Sequence, residues 1–175
     1  MNSNNILKAF SGQKHVDVDA MSAEEINEIF KILNAKMIPF YRFIITYNEY
    51  MNTRHSYSVN EPLTTLEAHL LTDICDYPNS TVTSLAAAWN RSVSATSQTI
   101  RKLIQKELVV RENSKEDAKK FYLHPTQKGL ELSEKHKRYD VLDIIKTIKC
   151  LKRSLTEEEL TGLFKGIQVY EDLLK

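Results

Sequence analysis

The sequence predicts a mainly α-helical chain with one small β-hairpin. Three observations carry this. Four Gly and four Pro among 175 residues are few for an all-β protein, whose many short strands need turn residues at frequent intervals. Apolar residues recur at three- and four-residue steps in several long segments, the period of an amphipathic helix. Three capping boxes, Ser22–Glu25, Thr64–Glu67 and Thr156–Glu159, mark helix starts, because each hydroxyl can accept a backbone N–H while the Glu bonds back to the cap. At roughly 150 residues per domain, the length suits one domain, or one core with an attached helical frame.

Residues 1–21 are polar and lack a sustained period, which predicts a flexible or loosely docked arm. From Ser22, the residues Ile26, Ile29, Phe30, Leu33, Met37, Phe40, Tyr41, Ile44 and Tyr47 form one apolar stripe, so residues 22–55 are a long helix, kinked at Pro39. His55–Pro62 is a polar connection. The second capping box opens a helix with Leu66, Leu70, Leu71 and Ile74 inward, ended by Pro78-Asn79-Ser80.

A short helix, Val82–Trp89, is separated by Asn90-Arg91-Ser92 from a second helix of about fourteen residues, Val93–Lys106. This is the spacing of a helix-turn-helix. Ser92 is a good N-cap, and Val93, Ile100, Leu103 and Ile104 supply the inward face. The opposite face is polar: Ser94, Gln98, Arg101 and Gln105 fall within about 60° of one another, with Ala95 and Lys102 alongside. Leu108–Glu112 and Lys119–Leu123 are β-prone segments around a polar loop, so a two-stranded wing follows the helix pair and residues 63–125 form one winged helix-turn-helix unit. In residues 126–175, a helix from Thr126 to about Lys149 ends in an apolar half with Val141, Leu142, Ile144, Ile145 and Ile148. The third capping box opens a last helix with Leu160, Leu163, Phe164, Ile167, Tyr170 and Leu174 in a stripe. The terminal helices need a partner surface, which predicts that they and the first helix dimerise.

The chain carries 24 Lys plus Arg against 23 Asp plus Glu, and this near-neutrality hides a division. Residues 91–139 hold twelve basic and six acidic residues, a balance of 12 − 6 = +6, and the remainder holds twelve and seventeen, or 12 − 17 = −5. A basic segment in an otherwise acidic chain points to an anionic partner for one face. Two cysteines, Cys75 and Cys150, are too few for a disulfide scaffold and read as small core residues. The apolar stretches are broken well before the roughly 20 residues of a spanning helix. A reduced, cytoplasmic protein is expected.

Leu85-Ala86, Ser92, Leu103, Leu108-Val109, Arg111, Asp117, Thr126 and Gly129 stand at spacings that resemble the pattern of the MarR family of bacterial transcription regulators, over about residues 25–174. Three positions depart from that pattern: Glu107 stands where the family usually has a helix-ending Gly, Lys119 where the wing usually has Arg, and Pro125 where a Leu precedes the Thr. The resemblance implies a homodimer bound to double-stranded DNA, with the second helix of the pair in the major groove. It also implies that the wing residue after Asp117-Ala118, here Lys119, points at the minor groove.

The residues themselves support this reading. Short polar side chains at the start of a helix suit a groove about 12 Å wide, where Ser94 and Thr96 can reach phosphates or base edges. Gln98 can bond adenine bidentately, and Arg101 can read guanine or bind phosphate. Ser92, Ala95, Lys102, Arg111, Lys115, Lys119 and Lys120 complete the candidate DNA-contacting set. The resemblance also implies a crevice for a small aromatic or anionic effector near the second half of the first helix. Tyr47, Arg54 and His69 are its candidate polar contacts.

Enzyme motifs are absent: there is no G-x-S-x-G, H-E-x-x-H, C-x-x-C or Gly-rich phosphate loop. His15, His55, His69, His124 and His136 lack a close i,i+4 pair, although separated ligands could converge in space, and neither a metal nor another cofactor is expected. The reading that follows is a ligand-responsive repressor that binds a palindromic operator as a homodimer and is not an enzyme. A second class stays open, a winged-helix interaction module whose basic face binds an acidic partner chain.

Overall fold

The structure is a computed structural model that describes residues 17–57, 62–113 and 121–175. It divides into two compact units, residues 1–53 and 54–175.

The described part of the first unit is one helix, α1 (Ala23–Asn52). Its N-terminus is closed by the capping box read from the sequence: Glu25 N–H donates to Ser22 Oγ at 3.3 Å, and Ser22 N–H donates to Glu25 Oε2 at 2.9 Å. The helix continues through Pro39. No residue of α1 is buried, and Phe30, Tyr41, Phe43, Ile44, Ile45 and Tyr47 are all exposed. Packing among its own aromatic rings, such as Phe43 on Tyr47 at 5.5 Å, cannot cover such a stripe.

The second unit begins with a strand pair absent from the sequence reading, β1 (Arg54–Ser56) and β2 (Pro62–Thr64), antiparallel with His55 opposite Leu63. Part of the expected polar connection is therefore extended and paired. Leu63, fully buried, drives the pairing by occupying the core as an extended residue directly before a helix cap. Thr64 then caps α2 (Thr65–Asp76), its hydroxyl accepting from Glu67 N–H at 3.1 Å. The helix pair is α3 (Val82–Ala88) and α4 (Val93–Gln105), capped by Thr81 and Ser92. The wing is β3 (Val109–Asn113) against β4 (Phe121–Pro125), with Val109 opposite Pro125 and Arg111 opposite Leu123. β3 starts one residue later than the β-prone segment suggests, because Leu108 is drawn into the core, and β4 ends on Pro125, whose missing N–H is tolerated at a ladder end. Then come α5 (Gln127–Leu151), capped by Thr126, and α6 (Glu157–Leu173), capped by Thr156.

One core unites β2, the three helices α2 to α4, the wing base and the first half of α5: Leu63, Leu70, Leu71, Ile74, Leu85, Ile100, Leu103, Leu108, Leu123 and Leu132. Burying each such side chain stabilises the fold by about 2 kcal/mol. The inward stripe of α4 runs through Thr96, Thr99, Ile100 and Leu103, not through Val93, which is 51 % exposed. Val93 is the first residue of the helix, and a side chain there leans toward the N-terminus, away from the core. The second half of α5 and the whole of α6 resemble α1: Val141, Leu142, Ile144, Ile145, Phe164 and Ile167 are exposed, and α6 has no buried residue.

The core is closed at one tight junction. Glu107 turns the chain out of α4 with φ 59°, the left-handed conformation that glycine adopts without strain. Leu108 then passes so close to α5 that a Cβ on Gly129 would lie 2.1 Å from the Leu108 carbonyl oxygen. These two positions predict opposite outcomes in urea denaturation. Gly129→Ala loses at least about 2 kcal/mol, since backbone must shift. Glu107→Gly gains about 1 kcal/mol through relief of the left-handed conformation, less some unfolded-state entropy.

Candidate functional site

The turn between α3 and α4 is fixed by backbone. Asn90 has φ 46°, Arg91 N–H donates to Ala86 O at 2.8 Å, and Ser92 Oγ accepts from Ala95 N–H at 3.2 Å. Beyond it, α4 exposes Ser94, Gln98, Arg101, Lys102 and Gln105 along one strip, with Ala95 half-buried at its edge. Thr96 is not on this strip. It is fully buried, its hydroxyl without a hydrogen-bond partner among the described residues, and it serves as a core residue despite its polarity.

Two lysines of α4 and its cap face a buried carboxylate. Glu67, in the capping box of α2, lies 3.8 Å from Lys102 Nζ and 3.7 Å from Lys106 Nζ. Lys106 also donates to Pro62 O at 2.7 Å. Arg91 donates to Thr99 Oγ1 at 3.4 Å. Arg111 is exposed on β3. Lys115, Lys119 and Lys120 lie outside the described residues.

A second constellation sits where α2 meets α5. His69 Nε2 and His136 Nε2 each lie 3.4 Å from Asp140 Oδ2, and the two imidazoles meet edge to face with centroids 4.7 Å apart. The three ligand atoms lie within 4.8 Å of one another. His136 is only 2 % exposed, enclosed by the Tyr57 ring at 4.9 Å, and its Nδ1 lies 3.1 Å from Thr72 Oγ1, which accepts from Ser133 Oγ at 3.2 Å. Among the described residues its Nε2 makes no hydrogen bond, even to Asp140, so the 3.4 Å approach is a proximity without bond geometry. The Trp89 ring lies on His69, centroids 5.5 Å apart.

Comparison with known proteins follows this geometry. The model of the MarR family matches residues 63–121, from β2 through the start of β4. Over this segment, about a third of its length, the chain is similar to the MarR family. The family consists of DNA-binding transcription regulators, not enzymes. Streptococcus pneumoniae FabT, solved in complex with DNA, is 21 % identical over 83 % of this chain and 96 % of its own, with a TM-score of 0.60. The zinc-responsive MarR family member ZitR of Lactococcus lactis is 19 % identical over 82 % and 99 %, with a TM-score of 0.61. The adhesin competence repressor AdcR of Streptococcus pyogenes is 21 % identical over 82 % and 98 %, with a TM-score of 0.59. At these identities the likeness shows the fold. No curated protein matches the chain.

The candidate effector contacts belong to different elements, Tyr47 to the first unit and Arg54 and His69 to the second. Tyr47 is exposed on α1 beside Phe43 and Tyr50, Arg54 is exposed in β1 opposite Thr64, and His69 belongs to the histidine cluster. Sequence reasoning missed that cluster. It sought His–His pairs at i,i+4, whereas the close-spaced pair is His136 with Asp140, and His69 arrives from another helix. Cys75 is half-buried, and burial raises its thiol pKa, which makes it a poor nucleophile. Cys150 is exposed rather than in the core, because the second half of α5 leaves the core behind. Among the described residues, no helix is long and apolar enough to cross a membrane.

Burial pushes the His136 pKa down to about 4 from 6.5, more strongly than Asp140 pulls it up; His69 and Lys137 lower it further. The unfolded chain therefore holds the extra proton between pH 6.5 and 4 while the folded one does not, so stability falls as pH drops through that window. Denaturation midpoints of metal-free protein should decline across it, and His136→Asn, which cannot titrate, should flatten the decline.

Proposed function

We propose that the protein is a homodimeric repressor that binds a palindromic operator with α4 in the major groove, and that a divalent transition-metal ion at His69, His136 and Asp140 tightens this binding. The observation that carries DNA binding is the exposed strip Ser94, Gln98, Arg101 and Gln105, polar throughout and presented by a capped, backbone-fixed turn. Lys102 and Arg111 extend it toward phosphates, and Lys115, Lys119 and Lys120 supply the wing's positive charge, with Lys119 directed at the minor groove. Dimerisation is supported by the apolar faces of α1, the end of α5 and α6, which a soluble chain must cover. An operator occupied in this way is closed to other proteins on the same promoter. An acidic-protein adaptor is disfavoured, since a helix strip of short amides and hydroxyls suits base edges better than carboxylates.

The effector reading rests on His136 Nε2, a buried nitrogen with no hydrogen-bond partner among the described residues, beside a second imidazole and a carboxylate. Zinc–ligand bonds of about 2.0–2.2 Å put tetrahedral ligand atoms about 3.3 Å apart, and two pairs in the cluster already stand at 3.4 Å. Two neutral imidazoles and one carboxylate suit zinc and its first-row neighbours better than calcium or magnesium. A Nδ1–H donating to Thr72 leaves the Nε2 lone pair of His136 free to face the cluster. An ion held there would join α2 to α5. The zinc response of ZitR agrees with this assignment. Ordering the cluster in advance removes an entropy cost from DNA binding, which gives the sign of the effect.

Anisotropy titrations with an operator selected from genomic fragments test both parts. Two chains should bind each duplex, and affinity should fall steeply with salt. Gln98→Ala should relax preference at one position per half-site, by about 1–3 kcal/mol. A uniform loss over all sequences would instead assign Gln98 to the backbone. Zinc should tighten binding by about tenfold over a chelated control, and Asp140→Asn should abolish that difference while leaving metal-free binding intact. An unchanged affinity on zinc addition rejects the metal as effector.

A further inference from the structure

Trp89 is the single tryptophan of the chain, and it stands between the histidine cluster and the DNA-reading strip. Its indole Nε1–H donates to Asp73 Oδ2 at 2.6 Å, and its ring packs on His69 with an interplanar angle of 38°. His69 and Asp73 are one turn apart on α2, on the same face, so the indole is held on that helix at two points. One of the two is a ligand of the cluster.

On its other side Trp89 is the C-cap of α3, its N–H accepted by Leu85 O at 3.1 Å. The left-handed Asn90 and the Arg91–Ala86 hydrogen bond follow immediately, and Ser92 caps α4. Only two residues separate Trp89 from that cap. A displacement of the indole is therefore passed to the turn that aims α4.

Besides their shared core, α2 and α4 are joined by a polar link that is softer. Glu67 reaches Lys102 and Lys106 across 3.8 and 3.7 Å, through stems with four rotatable bonds that can follow a moving partner without pulling on it. Trp89 has two side-chain torsions, both constrained by ring packing and a short hydrogen bond.

We propose that Trp89 is a positioning residue that transmits occupation of the His69–His136–Asp140 cluster to α4, an inference that rests on the metal-responsive reading above. Closing three ligand atoms on one ion draws the two imidazoles together, and the His69 ring carries the face of Trp89 with it. The indole, still bonded to Asp73, turns with α2. The coupling is reciprocal: operator binding raises cation affinity by the same factor that the cation raises operator affinity.

The test uses the full chain with Co2+ absorption as the readout of cation binding and operator anisotropy with and without Zn2+ as the readout of coupling. Wild type should show a ratio of operator affinities of about tenfold, within the usual range for linked sites. Trp89→Phe keeps an aromatic ring on His69 but loses the Asp73 bond. It should take up Co2+ within about twofold of wild type and bind metal-free operator within about threefold, yet show a ratio below about threefold. Asp73→Ala, which leaves the indole in place, should lower the ratio in the same way, whereas Asp73→Asn, which keeps an acceptor, should restore it. Zn2+ should shift the emission of Trp89 in wild type and not in His136→Ala. An undiminished ratio in Trp89→Phe and Asp73→Ala overturns the relay and leaves metal regulation standing. Wild type with no Co2+ uptake, or with uptake and no change in operator affinity, overturns the metal reading and the relay with it.

Discussion

The contact on which the second unit depends is the approach of Leu108 to Gly129. Three elements end or begin there: α4 closes through Glu107, the wing starts at Val109, and α5 starts at Thr126. The Leu108 carbonyl accepts from Thr126 N–H at 3.0 Å, and the Thr126 hydroxyl donates to Glu107 O at 2.7 Å while accepting from Gly129 N–H at 3.0 Å. Lys128 adds a bond to Lys106 O at 2.9 Å. The carbonyls of Lys106, Glu107 and Leu108, freed by the sharp exit from α4, are thereby all satisfied. His136 lies seven residues beyond Gly129, two helical turns along the same face. The close approach that locks the wing base thus also sets the distance at which His136 meets α2.

Much of this was legible in the sequence, because helix starts are local events. Ser22, Thr64, Ser92, Thr126 and Thr156 all cap the helices that periodicity assigned to them, and the hydroxyl-to-backbone bond involved spans only three residues. The order of helix, helix pair, wing and two further helices followed. The errors arose where a residue's role is set by distant chain. Thr96 is polar by composition and buried by position, since the i,i+3/i+4 stripe of α4 passes through it. The β1–β2 pair is too short to show alternation. His136 and Asp140 stand four apart on α5, but only the packing of α2 against α5 brings His69 to them.

The two kinds of helix in this chain differ in what they bury. Helices α2 to α4 and the first half of α5 have their apolar faces inside one small core, and that core accounts for the fully buried leucines. The rest of α5, α6 and α1 keep comparable apolar faces outside it. Helical periodicity alone makes the two kinds look alike, since it reports an apolar face and not the surface that covers it. The basic middle of the sequence falls on the first kind of helix and the acidic remainder largely on the second, so charge and burial divide the chain in the same way.

The lysines beside Glu67 carry a consequence for the proposed binding to DNA. Glu67 is a carboxylate with its side chain 4 % exposed, and Lys102 and Lys106 are the cations nearest to it. A phosphate that recruits Lys102 takes it from an anion that cannot turn to water. The gain from that contact is then a difference between two ion pairs rather than a whole one. In the DNA-binding reading proposed above, backbone attraction, common to every sequence, would be held down, while base-edge contacts by Gln98 and Arg101 would keep their full value. On that reading the protein would detach quickly from random sequence and dwell on the sites it can read, its search of a long chromosome shortened by a carboxylate that never touches the double helix.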